Sequence, residues 1–132
     1  MKRLHLVFGV AMFIAFLLSG QYMDRVHNHL DGTELGVRLL YRTRHIFILM
    51  ASLVHIGLGL YYQTRIGRWQ RKAQFAGSLL LAIGALLLVV AFIEEPRNRD
   101  LSTPYTHWGM YVIVLGVALH WLSALREGKG KE

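Results

Sequence analysis

Residues 42–62, RTRHIFILMASLVHIGLGLYY, decide the fold of this chain. Two arginines open the stretch, and the 18 residues from His45 to Tyr62 then carry no formal charge. A bilayer core about 30 Å thick takes roughly 20 apolar helical residues to cross. The stretch therefore predicts a transmembrane helix.

Three further apolar runs of similar length surround this stretch, and the charges lie almost wholly between the runs. The first run follows a basic start, as in a signal peptide, but it is long for one and Leu18 is poorly suited to position −3 of a cleavage site. We therefore interpret it as a retained helix. The predicted spans are residues 4–23, 45–62, 75–93 and 105–125.

The longest polar connection is residues 24–44. Asp31 followed by Glu34 matches a capping box, which predicts that the second helix begins near Gly32. The first turns of that helix are then expected to lie amphipathically in the headgroup region, before the span itself begins.

The composition predicts one domain, residues 1–132, built as an all-α integral membrane protein with a four-transmembrane-helix up-down bundle. The chain has no cysteine, which excludes disulfides and thiolate metal sites. Its net charge of +7 is concentrated beside the predicted spans. We therefore interpret the charge as a topology signal and expect no nucleic-acid partner.

Charge distribution also predicts orientation. Nine lysines and arginines fall on the side of the two termini and six on the other side. Cytoplasmic loops carry the excess of these residues. The prediction is N-in/C-in topology in a bacterial-type inner membrane.

Small residues repeat every seven positions in the third and fourth predicted spans. Such residues let helix backbones approach closely in lipid. The short turn between the two spans then predicts a tight antiparallel hairpin. An alternative use of the glycines is to leave room for a flat cofactor. The residues of these two stripes are Gly77, Gly84, Ala91, Gly109, Gly116 and Ser123.

Four histidines lie in the second and fourth spans, which run in the same direction. His45 and His107 are near one membrane boundary, whereas His55 and His120 lie deeper. Histidines at matched depth on two helices can ligate a haem iron axially, so haem b is the candidate cofactor. Against this, residues ten or thirteen apart do not share one face of an ideal helix. Hydrogen bonding inside the bundle is the alternative role.

Charged residues gather near the boundary opposite the termini. Arg42, Arg44, Glu94 and Glu95 all fall there, and partly buried charges are expected to pair. Arg44 with Glu94 or Glu95 is the expected pairing. A site for a proton, a quinone headgroup or an anionic lipid is the functional alternative.

A weaker cluster in the polar connection contains Met23, His27 and His29. Two imidazoles and a thioether can hold a copper ion. Solvated side chains are the alternative. Residues 65–72, a basic loop with Trp69, are interpreted as an anchor to anionic lipid.

No catalytic motif is present: the phosphate loop GxxxxGK[ST], the zinc motif HExxH and the elbow GxSxG are all absent. We therefore predict a non-enzymatic accessory or structural subunit of a larger membrane complex, or a small homo-oligomer. Its expected partners are the lipid bilayer and other membrane subunits or copies of itself. The alternative is a b-haem electron-transfer protein. A third hypothesis is a proton or ion path through His55, or metal binding on the periplasmic side.

Overall fold

The computed structural model describes residues 1–98 and 101–125 and is all-helical over those ranges, without strands. Single 3₁₀ turns, Asn28–Leu30 and Glu95–Arg97, follow the first and third helices. The four long helices are α1 (Lys2–Arg25), α2 (Leu35–Tyr61), α3 (Arg68–Glu94) and α4 (Pro104–Leu125).

All four helices are long and apolar enough to cross a membrane. The prediction of an all-helical chain with four membrane-length apolar helices is therefore confirmed. Its insertion and its N-in/C-in orientation stay predictions. Arg99 and residues 126–132, which enter the charge count for orientation, lie outside the described residues.

The start of α2 differs from the sequence prediction. The helix begins at Leu35 with Glu34 at the N-cap, and no side chain caps it. Gly32 instead has a φ of +75° in the preceding turn. The predicted capping box at Asp31 is therefore wrong. The polar connection is also shorter than residues 24–44, because α1 runs on to Arg25 and α2 begins ten residues before His45.

Helices α3 and α4 form a hairpin held by glycine contacts. A Cβ on Gly77 would lie 2.9 Å from the carbonyl oxygen of Gly116, and one on Gly84 would lie 2.9 Å from that of Gly109. The pairing numbers rise in α3 as they fall in α4, so the helices are antiparallel. The glycines of the two stripes therefore lie at the contact between α3 and α4.

Helices α1 and α2 form the second hairpin. A Cβ on Gly9 would lie 2.9 Å from the backbone nitrogen of Ile56, and one on Gly59 would lie 2.9 Å from that of Leu6. The buried Ser52 hydroxyl donates a 2.8 Å hydrogen bond to the Gly9 carbonyl oxygen. These contacts also run antiparallel.

An apolar layer fills the middle of the bundle, where the two hairpins meet. Ile48, Leu81, Ala85 and Leu88 are at most 1% exposed, and Ile113 packs beside them. This layer separates the polar groups at one end of the bundle from those at the other.

The glycine contacts predict opposite effects for two Gly-to-Ala changes. Gly84→Ala places a methyl group 2.6 Å from the Ile113 side chain and 2.9 Å from a backbone oxygen. Overpacking of this kind costs about 1–3 kcal/mol. We expect a lower melting temperature for the detergent-solubilised protein, followed by circular dichroism.

The matched control is Gly57→Ala, where nothing lies within 4 Å of the added carbon. Because alanine is the better helix former, this change is expected to be neutral or to stabilise by up to about 1 kcal/mol. Equal losses of stability in both variants would contradict the glycine-contact account.

Candidate functional site

Three histidines and a serine meet inside one end of the bundle, one from each helix. We call His5, His55, Ser78 and His120 the histidine node. His5, His55 and Ser78 are at most 2% exposed, and His120 is half-buried. The node lies toward the end that holds the N-terminus and the α2–α3 connection. It joins the two hairpins, because His5 and His55 come from one and Ser78 and His120 from the other.

The node is a continuous set of hydrogen bonds. The Nδ1 atoms of His5 and His55 are 3.0 Å apart. His5 Nε2 lies 2.8 Å from Ser78 Oγ, and His120 Nε2 lies 3.2 Å from the same oxygen. The Ser78 hydroxyl itself donates to the Gln74 carbonyl oxygen at 2.8 Å.

These bonds assign the proton positions of the neutral histidines. Since the Ser78 hydrogen goes to Gln74, its oxygen accepts from Nε2–H of His5 and of His120. His5 Nδ1 is then the acceptor, and the Nδ1–H of His55 donates to it. His55 is left with a bare lone pair on Nε2.

His55 Nε2 is buried, and no atom of the described residues meets the geometry of a hydrogen bond with it. The Leu81 backbone lies close to the His55 ring. The Phe8 ring packs against His55 with centroids 4.6 Å apart. His55 therefore carries an unsatisfied basic nitrogen in an apolar setting.

Small residues and one tyrosine shape the space around the node. A Cβ on Gly77 would lie 2.9 Å from His120 Cδ2, so glycine leaves room for that ring. The ring centroid of Tyr62 is 5.9 Å from that of His5 and 6.2 Å from that of His120. Gln74, which positions Ser78, also donates to the Gln63 carbonyl and ties the α2–α3 connection to α3.

A second polar group lies at the opposite end. Arg44 Nε donates to Glu95 Oε2 at 2.7 Å, and their side chains are 7% and 0% exposed. Thr106 donates its backbone N–H to Glu95 at 2.7 Å and its hydroxyl at 2.6 Å. The carboxylate thus pairs with α2 and also satisfies an amide in the first turn of α4. Of the two glutamates proposed as partners of Arg44, the structure uses Glu95.

The other members of that predicted cluster are at the surface. Arg42 and Glu94 are exposed, and Glu94 lies 3.7 Å from Arg97. Exposed pairs of this kind contribute little to stability. The buried pair is therefore the part of the cluster that holds helices together.

The four candidate haem ligands are not brought together as two pairs. His45 Nδ1 lies 2.8 Å from Ser19 Oγ, and its ring stacks on Phe16 with centroids 4.1 Å apart. His107 is exposed and bonds Thr103, the residue that immediately precedes α4. His55 and His120 do share a site, but each contacts the ring of His5.

The three candidate copper ligands have different neighbours, and copper binding by them stays a prediction. His29 pairs with Asp24, whereas His27 packs against the rings of Tyr22 and Tyr41. Met23 packs against the apolar core. Within residues 1–98 and 101–125, no group of three or more His, Cys, Asp or Glu side chains is arranged to hold a metal ion.

The sequence analysis missed His5 and Ser78 as site residues. His5 lies inside the first predicted span, residues 4–23. A histidine inside an apolar run is a functional-site hypothesis by default, and that signal was available. Ser78 carried no comparable signal, because serine is common at ordinary helix contacts in membranes.

Comparisons with known proteins place no relative beside this chain. No family model, no curated protein and no solved structure matches it. The function must therefore be argued from the residues themselves.

The buried ion pair predicts a large difference between two neighbouring glutamates. Glu95→Gln leaves the Arg44 guanidinium buried without a counter-charge, which costs about 3–5 kcal/mol. Glu94→Gln is the matched control, and we expect less than about 1 kcal/mol because its pair is exposed. Unfolding in a denaturing detergent series measures both.

A double variant isolates the charge from the rest of the contact. In Arg44→Met with Glu95→Gln, the glutamine still accepts from Thr106 and no charge is buried. We expect it to recover most of the stability lost in Glu95→Gln. A double variant as unstable as the single one would show that the ion pair is not the cause.

Proposed function

We propose that this chain is a small non-enzymatic membrane protein that binds and releases a proton at the histidine node. One observation carries the proposal: three histidines from three helices share a hydrogen-bonded network inside an apolar bundle. Ionisable groups inside a membrane bundle are costly to retain and mark proton or ligand sites. Histidine is the side chain that changes charge near neutral pH.

The entry point for the proton is His55 Nε2. It is the buried nitrogen of the node with a free lone pair, since the other bonds of the node fix the His55 hydrogen on Nδ1. A proton added at Nε2 makes His55 a cation. Transfer of its Nδ1 hydrogen along the 3.0 Å contact moves the charge to His5 and restores a neutral His55.

The charge has no counter-ion within the described part of the chain. The carboxylates there are all in the half of the bundle that holds Glu95. Ser78 and Glu95 are 17 residues apart on one continuous helical stretch, about 25 Å at 1.5 Å per residue. A cation buried without a partner is strongly unfavourable. Protonation therefore favours separation of the two hairpins, which admits water to the node.

The histidine node binds a proton at one end of the bundle, and no proton path crosses the bundle from there. The apolar layer around Leu81, Ala85 and Leu88 lies between the node and the Arg44–Glu95 pair. Proton transfer needs polar groups or water, and the side chains of this layer have no polar atom. The third hypothesis from the sequence was a proton or ion path through His55. We retain His55 as a proton-binding residue and do not propose that protons or ions cross the bundle.

A pH series tests the proposal. The unfolded chain takes up protons on its histidines at about pH 6.5, whereas the packed node resists the charge. Stability is therefore full above that pH and is lost as the pH falls. We expect the melting temperature of the wild type in detergent to drop between pH 7.5 and 5.

Two variants make the pH test specific. His55→Phe removes the entry nitrogen, so we expect a weaker dependence on pH even where the variant is less stable. His107→Gln is the control, because His107 is exposed, and it should follow the wild type. Identical pH profiles for the wild type and His55→Phe would refute the proton site.

A histidine-ligated haem is the second candidate function. It is favoured by His55, whose Nδ1–H bonds His5 while Nε2 is free, as in histidines that ligate metals. Haem requires space between the hairpins that the His5 ring now shares with its neighbours. This candidate therefore implies a rearrangement of His5 that the proton site does not.

A visible absorption spectrum decides between the two candidates. A haem protein purified from haem-replete cells shows a Soret band, with sharp α and β bands after reduction by dithionite. We expect a colourless protein. A Soret band lost in His55→Ala and kept in His107→Ala would replace proton binding by haem ligation at the node.

The accessory-subunit hypothesis stays a prediction. The glycines of α3 and α4 contact one another within the chain and therefore offer no face to a partner. Leucine at Gly84 or Gly116 would therefore disturb folding as well as assembly. A partner is better sought on the exposed outer face of α4, at Trp108, Tyr111 and Trp121.

A further inference from the structure

The end of the bundle that holds the node also carries a concentrated positive patch. Arg68, Arg71 and Lys72, in the first turns of α3, line a cavity of about 410 Å³ together with Phe75. We call these three cations the cationic mouth. All three are exposed, and no ion pair to them occurs in the described part of the chain. Lys2 and Arg3 start α1 at this same end.

An apolar cleft adjoins the mouth. It lies between α1 and α3, has a volume of about 390 Å³ and is lined by Leu4, Phe8, Phe75, Leu79 and Ala82 among others. Phe75 lines both cavities, so the cleft and the mouth meet at its side chain. Its surface is almost wholly apolar, because the polar atoms of Ser78 behind it are engaged in the node.

The charges of the two ends are complementary to different molecules. The carboxylates of residues 1–98 all lie in the half of the bundle opposite the mouth. They are Asp24, Asp31, Glu34, Glu94 and Glu95. The mouth is therefore purely cationic over the described residues. Such a patch beside a membrane attracts anionic headgroups. Guanidinium groups also bind phosphate oxygens in pairs, through parallel N–H bonds.

We propose that the mouth and the cleft together bind one anionic phospholipid. Arg68, Arg71 and Lys72 hold the phosphate, and an acyl chain lies in the cleft against Phe8, Phe75 and Ala82. A zwitterionic lipid fits less well, because its ammonium group would enter the cationic mouth. The presence of this lipid site does not require that the node bind a proton.

The test uses the full chain in a neutral detergent with added dioleoyl phosphatidylglycerol or dioleoyl phosphatidylcholine. Native mass spectrometry counts retained lipids, and the melting temperature reports stabilisation. We expect one retained phosphatidylglycerol and a rise in melting temperature with that lipid alone. At roughly a factor of five per cation, Arg68→Gln, Arg71→Gln and Lys72→Gln together should weaken binding about a hundredfold.

Matched controls separate a site from general attraction. Arg25→Gln, Arg42→Gln and Arg97→Gln remove three exposed charges at the opposite end, and this triple variant should bind as the wild type does. Ala82→Phe fills the cleft without changing charge and should release the lipid. Ala76→Phe, on the exposed face of the same helix, should not.

Four results would overturn the proposal. They are equal retention of the two lipids, equal stabilisation by soluble glycerol phosphate, equal weakening by the two charge-removing triple variants, and undiminished binding in a folded Ala82→Phe. The last result would show that the cations attract lipid from the surface and that the cleft holds no chain. The charge triples lie on exposed residues, so they decide the question even where the Ala82 change disturbs folding.

Discussion

The cost of burying polar groups among apolar helices governs this structure. Arg44 and Glu95 are almost completely buried and bond each other, and His5 and Ser78 do the same at the other end. A buried polar group without a partner loses its hydration and gains nothing in return. Each polar contact therefore fixes the relation of elements that apolar packing alone would let slide. In both cases the contact joins the α1–α2 hairpin to the α3–α4 hairpin.

Close backbone contact within each hairpin makes these polar bonds reachable. Gly77 and Gly116 bring α3 and α4 together at the level of His120, and Gly9 brings α1 against α2 at the level of His55. Larger residues there would push the helices apart by more than a hydrogen bond tolerates. The glycines therefore serve the histidine node as well as the packing. This is a use of small residues that a count of stripes along one helix does not reveal.

The sequence predicts the helices well because membrane-length apolar runs are a property of composition, and four such helices are present. The pairing of Arg44 with a glutamate could be predicted from the cost of a buried charge, without knowledge of how the helices pack. The node could not be predicted in the same way. The node depends on how the helices are rotated about their axes. The argument from histidine spacing considered only α2 and α4, so it did not include α1. His5 lies at the end of the first apolar run, residues 4–23, a position that suggests an interface. The capping-box prediction for the start of α2 was wrong for a related reason. A short sequence motif does not determine at which turn a helix begins when packing in the bundle favours a later one.

The seam between α1 and α3 connects the two proposals physically. Ser78 holds His5 on the inner side of this seam, and Phe8, which packs on His55, lines the cleft on its outer side. A molecule seated in the cleft presses against the helices whose separation would open the node. If the phospholipid fills the cleft, it holds α1 against α3 and favours the neutral, closed node. If a proton opens the node, the same movement widens the cleft and weakens its hold on the acyl chain. The two ligands then oppose each other, and by thermodynamic linkage each must weaken the binding of the other by the same factor. Lipid affinity that is unchanged between pH 7.5 and 5 would therefore show that the seam does not move, even where each site is real.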